Sequence, residues 1–243
     1  MKNEIAILIA AGLGRRMMPL TKEIAKPLIK IHGKSMIETV IEGLESRGIK
    51  HIYVVVGYKK EQFEFLPLKY GNITLVENIE YLTKNNISSL HAVCDVIGKE
   101  NCFICEADLY VSDSSIFQAE LSHSCYYGKM VEGHSEDWVF DLNENGKVIR
   151  IGMGGDDVYN MAGISYFLAE DAKKIADAIN EACRNPGHEE LYWDEIVNRQ
   201  LENIDLYIYS VRADQIVEID SVSELIAVDS VYRTYKQGSA LCE

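Results

Sequence analysis

A buried strand that runs directly into a glycine- and arginine-rich loop is the feature that most constrains how this chain can fold. Glu4–Ala10 is a continuous apolar run, and Gly12, Gly14, Arg15 and Arg16 follow it within six residues. Glycine adopts positive φ readily and lets backbone N–H groups approach a phosphate closely. A strand followed by such a loop is typical of α/β proteins, in which ligands bind at the carboxyl ends of the strands.

The spacing within the loop separates it from two better-known phosphate-binding motifs. It lacks the third glycine of the dinucleotide fingerprint and the G-K-[ST] of the P-loop, which disfavours a nicotinamide oxidoreductase. A nucleotide site and a plain strand-to-helix turn with solvated arginines both remain open from the loop alone. Lys26, ten residues after Arg16, adds a further cation that could meet a phosphate.

Strand-like and helix-like segments alternate along the chain, which predicts a mostly parallel sheet with helices on both faces. The predicted strands are Glu4–Ala10, His51–Val56, Ile73–Val76, Asn101–Ala107, Ser124–Val131, Trp138–Leu142, Val148–Gly152, Ala162–Leu168, Asp205–Val211 and Ile216–Ile219. The predicted helices are Ser35–Arg47, Ile87–Ile97, Ala169–Cys183, Glu190–Leu201 and Val222–Tyr235, and residues 143–146 predict a hairpin turn. We expect residues 1–243 to form a single three-layer, Rossmann-like α/β domain with a β-rich insertion at about residues 124–160.

Charge and cysteine usage exclude several classes of protein. The 243 residues carry a formal net charge of -14, which repels nucleic acid and anionic membranes. No apolar run approaches the length of a membrane span, so we expect a cytoplasmic protein whose partners are neither nucleic acid nor membrane. The oligomeric state stays open. Cys102 and Cys105 show a C-x-x-C spacing, but they lie in a predicted buried strand without a second Cys/His pair, so we expect reduced thiols.

Two aspartates that follow predicted strands form a candidate metal site. Asp108 ends the strand that contains Glu106, and Asp220 ends another. Mg²⁺ takes oxygen ligands, usually one or two carboxylates together with phosphates of the substrate. The structural alternatives are a turn residue at Asp108 and a helix start at Asp220, where Ser221 and Glu224 have the spacing of a capping box.

The loop, its arginine and the following lysine together resemble the signature of the sugar-nucleotide-type nucleotidyltransferases. The matching segment is residues 8–21 (LIAAGLGRRMMPLT) followed by residues 26–28 (KPL), although Ala25 stands where the family usually has proline. The resemblance implies a nucleotidyltransferase fold, catalytic roles for Arg16, Lys26 and Asp108, and a Mg²⁺ ion on Asp108 and Asp220. It implies a phosphate-binding set consisting of Ala10, Ala11, Gly12, Gly14, Arg16 and Lys26.

A closer resemblance, to the bacterial choline-phosphate cytidylyltransferases, covers nearly the whole chain. It rests on residues 56–63, 85–90, 106–108, 137–138, 191–194 and 218–221. This resemblance implies that Asn86 and Ser89 read the pyrimidine base, with helix capping as the alternative. It also implies an acceptor-binding set consisting of Asp137, Trp138, Tyr192, Trp193 and Asp194.

The chemistry of these residues fits a cationic head group. A quaternary ammonium is held by aromatic faces with a carboxylate nearby, and both tryptophans of the chain stand beside an aspartate. The alternative is that Trp138 and Trp193 are core residues of a strand and a helix.

The resemblance implies a Mg²⁺-dependent reaction in which phosphocholine attacks CTP, giving CDP-choline and pyrophosphate. The nearest alternative is the same chemistry on phosphoethanolamine, 2-aminoethylphosphonate or a sugar 1-phosphate, since primary amines can also lie on aromatic rings beside an aspartate. A catalytically silent nucleotide-sensing module on the same fold is less favoured, because Arg16, Lys26, Asp108 and Asp220 are all present.

Overall fold

The computed structural model describes residues 3–234, which are organised around one seven-stranded sheet. The strands are β1 Glu4–Ala10, β2 Lys30–Ile31, β3 Lys34–Ser35, β4 His51–Val56, β5 Ile73–Glu77, β6 Asn101–Glu106, β7 Leu109–Val111, β8 Ser124–Leu142, β9 Val148–Phe167, β10 Leu206–Ser210 and β11 Ile216–Glu218. The helices are α1 Met36–Arg47, α2 Phe65–Tyr70, α3 Ile87–His91, α4 Ala169–Ala182, α5 Trp193–Arg199 and α6 Val222–Val228. Tyr235, the last residue of a predicted helix, lies outside the described residues. The cysteine at position 242 lies outside them as well.

The sheet is mixed and mostly parallel, as predicted. Its strand order is β10-β8-β9-β6-β1-β4-β5. The central strand β1 pairs in parallel with β4 on one side and β6 on the other, whereas β9 runs antiparallel to both β6 and β8. The carboxyl ends of β1, β4 and β6 therefore meet at one edge, where ligands bind in sheets of this kind.

Helices cover both faces of the sheet, which confirms the three-layer α/β fold. Successive side chains of a strand point to opposite faces. Ala6 and Leu8 of β1 pack with α1 and α2 on one face, while Ile5 and Ile7 pack with α3, α4 and α5 on the other. Residues of the central strands are buried on both faces of the sheet, so each of these strands is a continuous apolar run in the sequence.

A third apolar cluster anchors the glycine loop to the end of the chain. Its buried members come from the loop, from β2, from α1 and from the β11–α6 region: Met17, Leu20, Ile29, Ile31, Met36, Ile219 and Leu225. The cluster places the end of β11 beside the loop, although the two are about 200 residues apart in sequence. Asp220 is brought to the loop by this packing.

The β-rich part of the chain differs in detail from its prediction. The short strands predicted between residues 124 and 168 are portions of two long strands, β8 and β9, which form a twisted hairpin around the predicted turn. We call residues 128–161 of this hairpin the arm. Val139 and Phe140 each pair twice with β9, so the arm curls back on itself. Its outer segment, residues 132–137, is mostly exposed and polar, and therefore showed no hydrophobic pattern.

Three predicted helices are shorter than the sequence pattern indicated. The first is α3, which ends at His91, where backbone hydrogen bonds change to three-residue spacing: Val93 N–H donates to the Leu90 carbonyl. The second, α5, begins at Trp193 rather than residue 190, and the third, α6, ends at Val228 before a 3₁₀ turn. The short elements α2 and β7 were not predicted, because neither is long enough to show a periodicity.

Burial explains the cysteine pattern. Cys102 and Cys105 are fully buried in β6, and burial raises the pKa of the Cys102 thiol to about 12. Five cysteines carry free thiols within residues 3–234.

In the same part of the chain, no helix is both long and apolar enough to cross a membrane.

Candidate active site

A cleft of about 380 Å³ opens at the carboxyl ends of the parallel strands. Its floor comes from the ends of β1, β6 and β11, and one wall is the segment that leads into α3. The side chains and loop positions that line it are mainly polar or glycine: Gly12, Gly14, Arg15, Arg16, Lys26, Asn78, Tyr81, Lys84, Asn85, Asn86, Ser88, Ser89, Glu106, Asp108, Glu218 and Asp220. Most of the predicted phosphate-binding and metal-binding residues therefore share one site.

The glycine loop is tightly packed at Gly14. Its φ is 59°, and a Cβ there would lie 2.9 Å from the Lys26 Cβ, closer than real contacts allow. The Thr21 hydroxyl donates to the Gly14 carbonyl at 2.9 Å, which fixes the loop. Gly12 also lines the cleft, and a Cβ at this position would meet no atom within 4 Å.

Lys26 lies between two carboxylates. Its Nζ is 2.6 Å from an oxygen of Asp108 and 2.6 Å from an oxygen of Asp220, and its side chain is 9% exposed. Burial lowers the pKa of Lys26, but the two carboxylates outweigh this effect and raise it above the usual value. Arg16 binds the other oxygen of Asp220 at 2.9 Å from a largely exposed position. Lys26 is therefore a charged ammonium at any physiological pH.

The carboxylate of Asp220 is not used to cap a helix. The capping box of α6 is made by Ser221, which accepts from the Glu224 N–H, and by Glu224, which accepts from Ser221 N–H. Burial raises the pKa of Asp220, but the hydrogen bond from Lys26 and the positive charges of Lys26 and Arg16 together outweigh it, so the pKa lies below the usual value. Asp220 is thus an ionised group that faces the cleft.

Asp108 and Asp220 fit a divalent cation, because their oxygens already converge on one positive group. Within residues 3–234, no cluster of three or more His, Cys, Asp or Glu side chains is arranged to hold a metal. Further oxygen ligands would come from the phosphates of the substrate and from water, which is usual for Mg²⁺. Binding of Mg²⁺ here stays a prediction.

Two glutamates of the site were not predicted as site residues. Glu106 and Glu218 each stand two residues before an aspartate of the cleft, so the repeated Glu-x-Asp pattern was the signal that could have revealed them. Burial, with the charges of Asp108 and Glu218, raises the pKa of Glu106 well above its usual range. Burial away from water raises the pKa of Glu218 to about 7, and the negative charges of Asp220 and Asp108 add to this effect.

The predicted base-reading residues lie on the wall of the cleft. The Asn78 amide donates to the hydroxyls of Ser88 and Ser89, at 2.9 and 3.1 Å. Asn86 precedes α3 without capping it, and its Oδ1 instead accepts from the Trp193 N–H at 2.9 Å. The helix-capping alternative therefore does not describe Asn86, and Asn78 is a cleft residue that the sequence did not single out.

The predicted acceptor residues fall into two groups. Trp138 of the arm and Tyr192 pack edge to face with ring centroids 5.5 Å apart, and Tyr192 is 41% exposed. Asp137 accepts from the Asn160 amide at 2.9 Å on the surface of the arm. Trp193 is only 4% exposed and stacks on Tyr126, so its ring is part of the core beneath the cleft.

Asp194 belongs to the buried group. Its carboxylate accepts from the Tyr126 hydroxyl at 2.9 Å. Burial raises the pKa of Asp194 to about 7, and this hydrogen bond offsets only part of the effect.

A small internal cavity adjoins the cleft behind Glu106. Its volume is about 10 Å³, roughly the space that one water molecule needs. Glu106 and Asp194 both line it, Ile9 and Glu106 line the cleft as well, and Trp193 and Met161 form part of its apolar wall. None of the described residues that line it carries a positive charge.

The chain is similar to known nucleotidyltransferases in both sequence and fold. The model of the MobA-like NTP transferase domain matches residues 6–139. A 2-aminoethylphosphonate cytidylyltransferase from Lancefieldella rimae is 54% identical over 227 residues, which cover 93% of this chain and 92% of that protein. A choline-phosphate cytidylyltransferase from Streptococcus pneumoniae is 33% identical over 228 residues, covering 94% and 98%. The solved structure of the CTP:phosphocholine cytidylyltransferase from Streptococcus pneumoniae superposes with a TM-score of 0.87 at 32% identity, covering 95% and 99%.

Proposed function

The chain belongs to the MobA-like NTP transferase family and is a nucleotidyltransferase, and from this premise we propose that it transfers CMP from CTP to 2-aminoethylphosphonate. The similarity to cytidylyltransferases over more than nine-tenths of the chain supports CTP as the donor. The second product is pyrophosphate. This acceptor replaces phosphocholine, which the sequence resemblance placed first, as the preferred substrate.

The reaction is an in-line displacement at the α-phosphorus of CTP. A phosphonate oxygen forms the new bond to the α-phosphorus. The bond from the α-phosphorus to the oxygen that bridges the α- and β-phosphates breaks, and its electron pair leaves on that oxygen, which becomes a terminal oxygen of pyrophosphate. The attacking and leaving groups are both anionic near neutral pH, so no general base is needed, and catalysis depends on positioning and charge stabilisation.

The residues of the cleft supply that positioning and charge. Gly12 and Gly14 present backbone to the triphosphate, and Arg16 stabilises negative charge from the rim. Asp108 and Asp220 would hold a Mg²⁺ ion, which would neutralise phosphate charge. Lys26 supplies its positive charge to the α- and leaving phosphates, where negative charge grows in the transition state.

The small cavity behind Glu106 is the observation that carries the choice of acceptor. Two carboxyl groups, those of Glu106 and Asp194, line a space of about one water molecule that contains no positive group. An ammonium group is of that size, and its N–H groups can donate to both carboxylates in charge-assisted hydrogen bonds. The three methyl groups of a choline head group would need a larger space and would donate no conventional hydrogen bonds.

Phosphocholine is the second candidate, and the contact between Trp138 and Tyr192 favours it. These rings pack edge to face, Tyr192 is 41% exposed, and exposed aromatic faces suit a quaternary ammonium. If phosphocholine is used, its head group would lie against these rings rather than in the cavity. The two candidates therefore depend on different side chains.

Pyrophosphate release, measured with four nucleoside triphosphates and four acceptors, tests the proposal. The acceptors are 2-aminoethylphosphonate, phosphoethanolamine, phosphocholine and glucose 1-phosphate. We expect kcat/KM to be highest with CTP and 2-aminoethylphosphonate, and at least about tenfold lower with phosphocholine, a difference of about 1.4 kcal/mol. A higher kcat/KM for phosphocholine or glucose 1-phosphate would contradict the proposed acceptor.

Asp194→Asn provides the matched variant, because it keeps the shape and the hydrogen bond from Tyr126 while removing the charge. Removing one buried partner of a charge pair costs about 2 kcal/mol or more, so we expect the KM for 2-aminoethylphosphonate to rise about thirtyfold. The KM for CTP should hardly change. An equal loss with phosphocholine would show that Asp194 does not read the amine.

A further inference from the structure

Asn86 touches both halves of the proposed site. Its side chain lines the cleft, and its Oδ1 accepts the Trp193 N–H at 2.9 Å. Trp193 is the first residue of α5, and the N–H groups of a first helical turn have no partner within their own helix. Asn86 thus supplies, from the nucleotide side, a partner that the start of α5 needs.

Two further hydrogen bonds join the same segments. The Asn85 N–H donates to the Glu189 carbonyl at 2.7 Å, and the Asn85 amide donates to the Glu190 carbonyl at 3.1 Å. The loop before α3 and the residues before α5 are therefore held together at three points. The segment from Glu189 leads directly into Tyr192, Trp193 and Asp194, the predicted acceptor residues.

The bond to Trp193 also fixes which end of the Asn86 amide faces the cleft. Because Oδ1 already accepts a hydrogen bond from the Trp193 N–H, Nδ2 is the amide group that is available to a ligand. Among residues 3–234, Nδ2 has no hydrogen-bond partner. The Nδ2 group of Asn86 is thus a free donor for a nucleotide, and a nucleotide acceptor atom that binds Nδ2 would also hold Oδ1 against Trp193.

We propose that Asn86 is a positioning residue that couples the two substrates: a nucleotide in the cleft holds the Asn86 amide, and the amide in turn fixes the start of α5, where Asp194 binds the acceptor. This inference rests on the proposed function, since it assumes a nucleotide and a second substrate. Coupling of two binding sites is reciprocal, so the acceptor strengthens nucleotide binding by the same factor.

Two substitutions at this position separate coupling from simple base contact. Asn86→Ala removes both ends of the amide, whereas Asn86→Asp keeps an oxygen for the Trp193 N–H and loses the donor to the cleft. We expect Asn86→Ala to raise the KM of both CTP and the acceptor about tenfold, the effect of one lost hydrogen bond on each side. Asn86→Asp should raise the KM of CTP and leave the acceptor KM within about twofold of wild type, because an acidic side chain suits a helix start.

A residue that only contacts the base would give a different result. In that case both variants would change the KM of CTP and neither would change the acceptor KM, which would overturn the proposal. Equal increases in the acceptor KM for Asn86→Ala and Asn86→Asp would overturn it as well, since the oxygen would then have no role. Thermal unfolding of each variant identifies any loss of folded protein.

The response of tryptophan fluorescence to CTP distinguishes coupling from a merely structural role, because a structural role of Asn86 would not transmit CTP binding to Trp193. The chain has two tryptophans, so Trp138→Phe leaves Trp193 as the sole reporter. We expect CTP, without acceptor, to change the Trp193 emission in this background and to cause no change when Asn86→Ala is added, even at saturating CTP. A change of the same size in both proteins would contradict coupling through Asn86.

The outcomes distinguish this inference from the proposed function. If wild-type protein transfers CMP to no acceptor, the proposed function fails whatever the variants do. If wild type is active with 2-aminoethylphosphonate and Asn86→Ala keeps the wild-type acceptor KM, only the inference about Asn86 fails.

Discussion

At the scale of single residues, Asp220 and Ser221 are neighbours with different partners. The Asp220 carboxylate binds Lys26 and Arg16 in the cleft, whereas the Ser221 hydroxyl caps α6. Asp220→Ala should therefore reduce kcat about a thousandfold, because a lost metal-held charge contact raises the barrier by several kcal/mol. Ser221→Ala should keep most of the activity and lower the free energy of unfolding by about 1 kcal/mol, the usual cost of a lost cap. Steady-state kinetics and urea unfolding of the two variants measure this difference, and the reverse pattern would make Asp220 a structural residue.

The buried carboxyl of Asp194 predicts a specific dependence of stability on pH. Burial raises its pKa from 3.8 to about 7 in the folded protein. Between about pH 4 and pH 7 the folded state keeps a proton that the unfolded state releases, so the free energy of unfolding falls across this range and levels off above it. Asp194→Asn removes this effect, and should be more stable than wild type at pH 8 by up to about 4 kcal/mol, at about 1.4 kcal/mol per pKa unit.

Urea unfolding without ligands at pH 4.5, 6 and 8 measures that prediction. The two proteins share every other titrating group, so the difference between their curves isolates Asp194. We expect the curves to differ by only about 1 kcal/mol at pH 4.5 and to separate further as the pH rises. Parallel curves would show that Asp194 has an ordinary pKa. A variant that is more stable at pH 8 yet binds the acceptor more weakly would identify Asp194 as a site residue that lowers stability.

At the scale of elements, the contact between Trp138 and Tyr192 ties the arm to the start of α5. Edge-to-face aromatic pairs contribute about 0.5–1.5 kcal/mol beyond their buried area. A double-mutant cycle with Trp138→Ala and Tyr192→Ala should therefore give a coupling energy of about 1 kcal/mol in the free energy of unfolding. Each single variant should raise the KM of phosphocholine and leave the KM of CTP unchanged. Ile149→Ala, an exposed apolar position on the same arm, is the control and should change neither.

The arm also shows why part of the fold could be predicted from the sequence and part could not. The strands β1, β4 and β6 are buried on both faces, so their apolar runs marked them almost to the residue. Residues 132–137 pair with β9 through their backbone, but most of their side chains face water. Backbone hydrogen bonds do not require apolar side chains, so these residues show no alternating hydrophobic pattern. The prediction therefore left these residues out and divided β8 into two separate strands, Ser124–Val131 and Trp138–Leu142.

The same reasoning applies to the site. Arg16, Lys26, Asp108 and Asp220 could be singled out because they belong to compact motifs, and the structure places the last three in contact. Their catalytic roles stay predictions. The cavity between Glu106 and Asp194 depends on the packing of β6 against α5, and the bond from Trp193 to Asn86 joins residues 107 positions apart. No local pattern contains either feature.

At the scale of the whole molecule, we expect the described residues to unfold as one cooperative unit. The arm shares a continuous sheet with the nucleotide side, and β9 joins the two directly. Calorimetry should therefore show one transition. CTP at about a hundred times its Kd should stabilise the folded state by about 2.7 kcal/mol and raise Tm by about 5–10 °C. Two transitions, with only the higher one responding to CTP, would show that the arm is a separate folding unit.

The way the arm joins the sheet has a consequence for descent within the family. Its two strands leave and re-enter at adjacent positions, since Gly128 pairs with Met161 at the base. Insertions and deletions in the arm can therefore accumulate without moving β1, β6 or the glycine loop. Arms exchanged between relatives should carry the Trp138 ring with them, whereas the preference for an amine, which depends on Glu106 and Asp194, should stay with the rest of the chain.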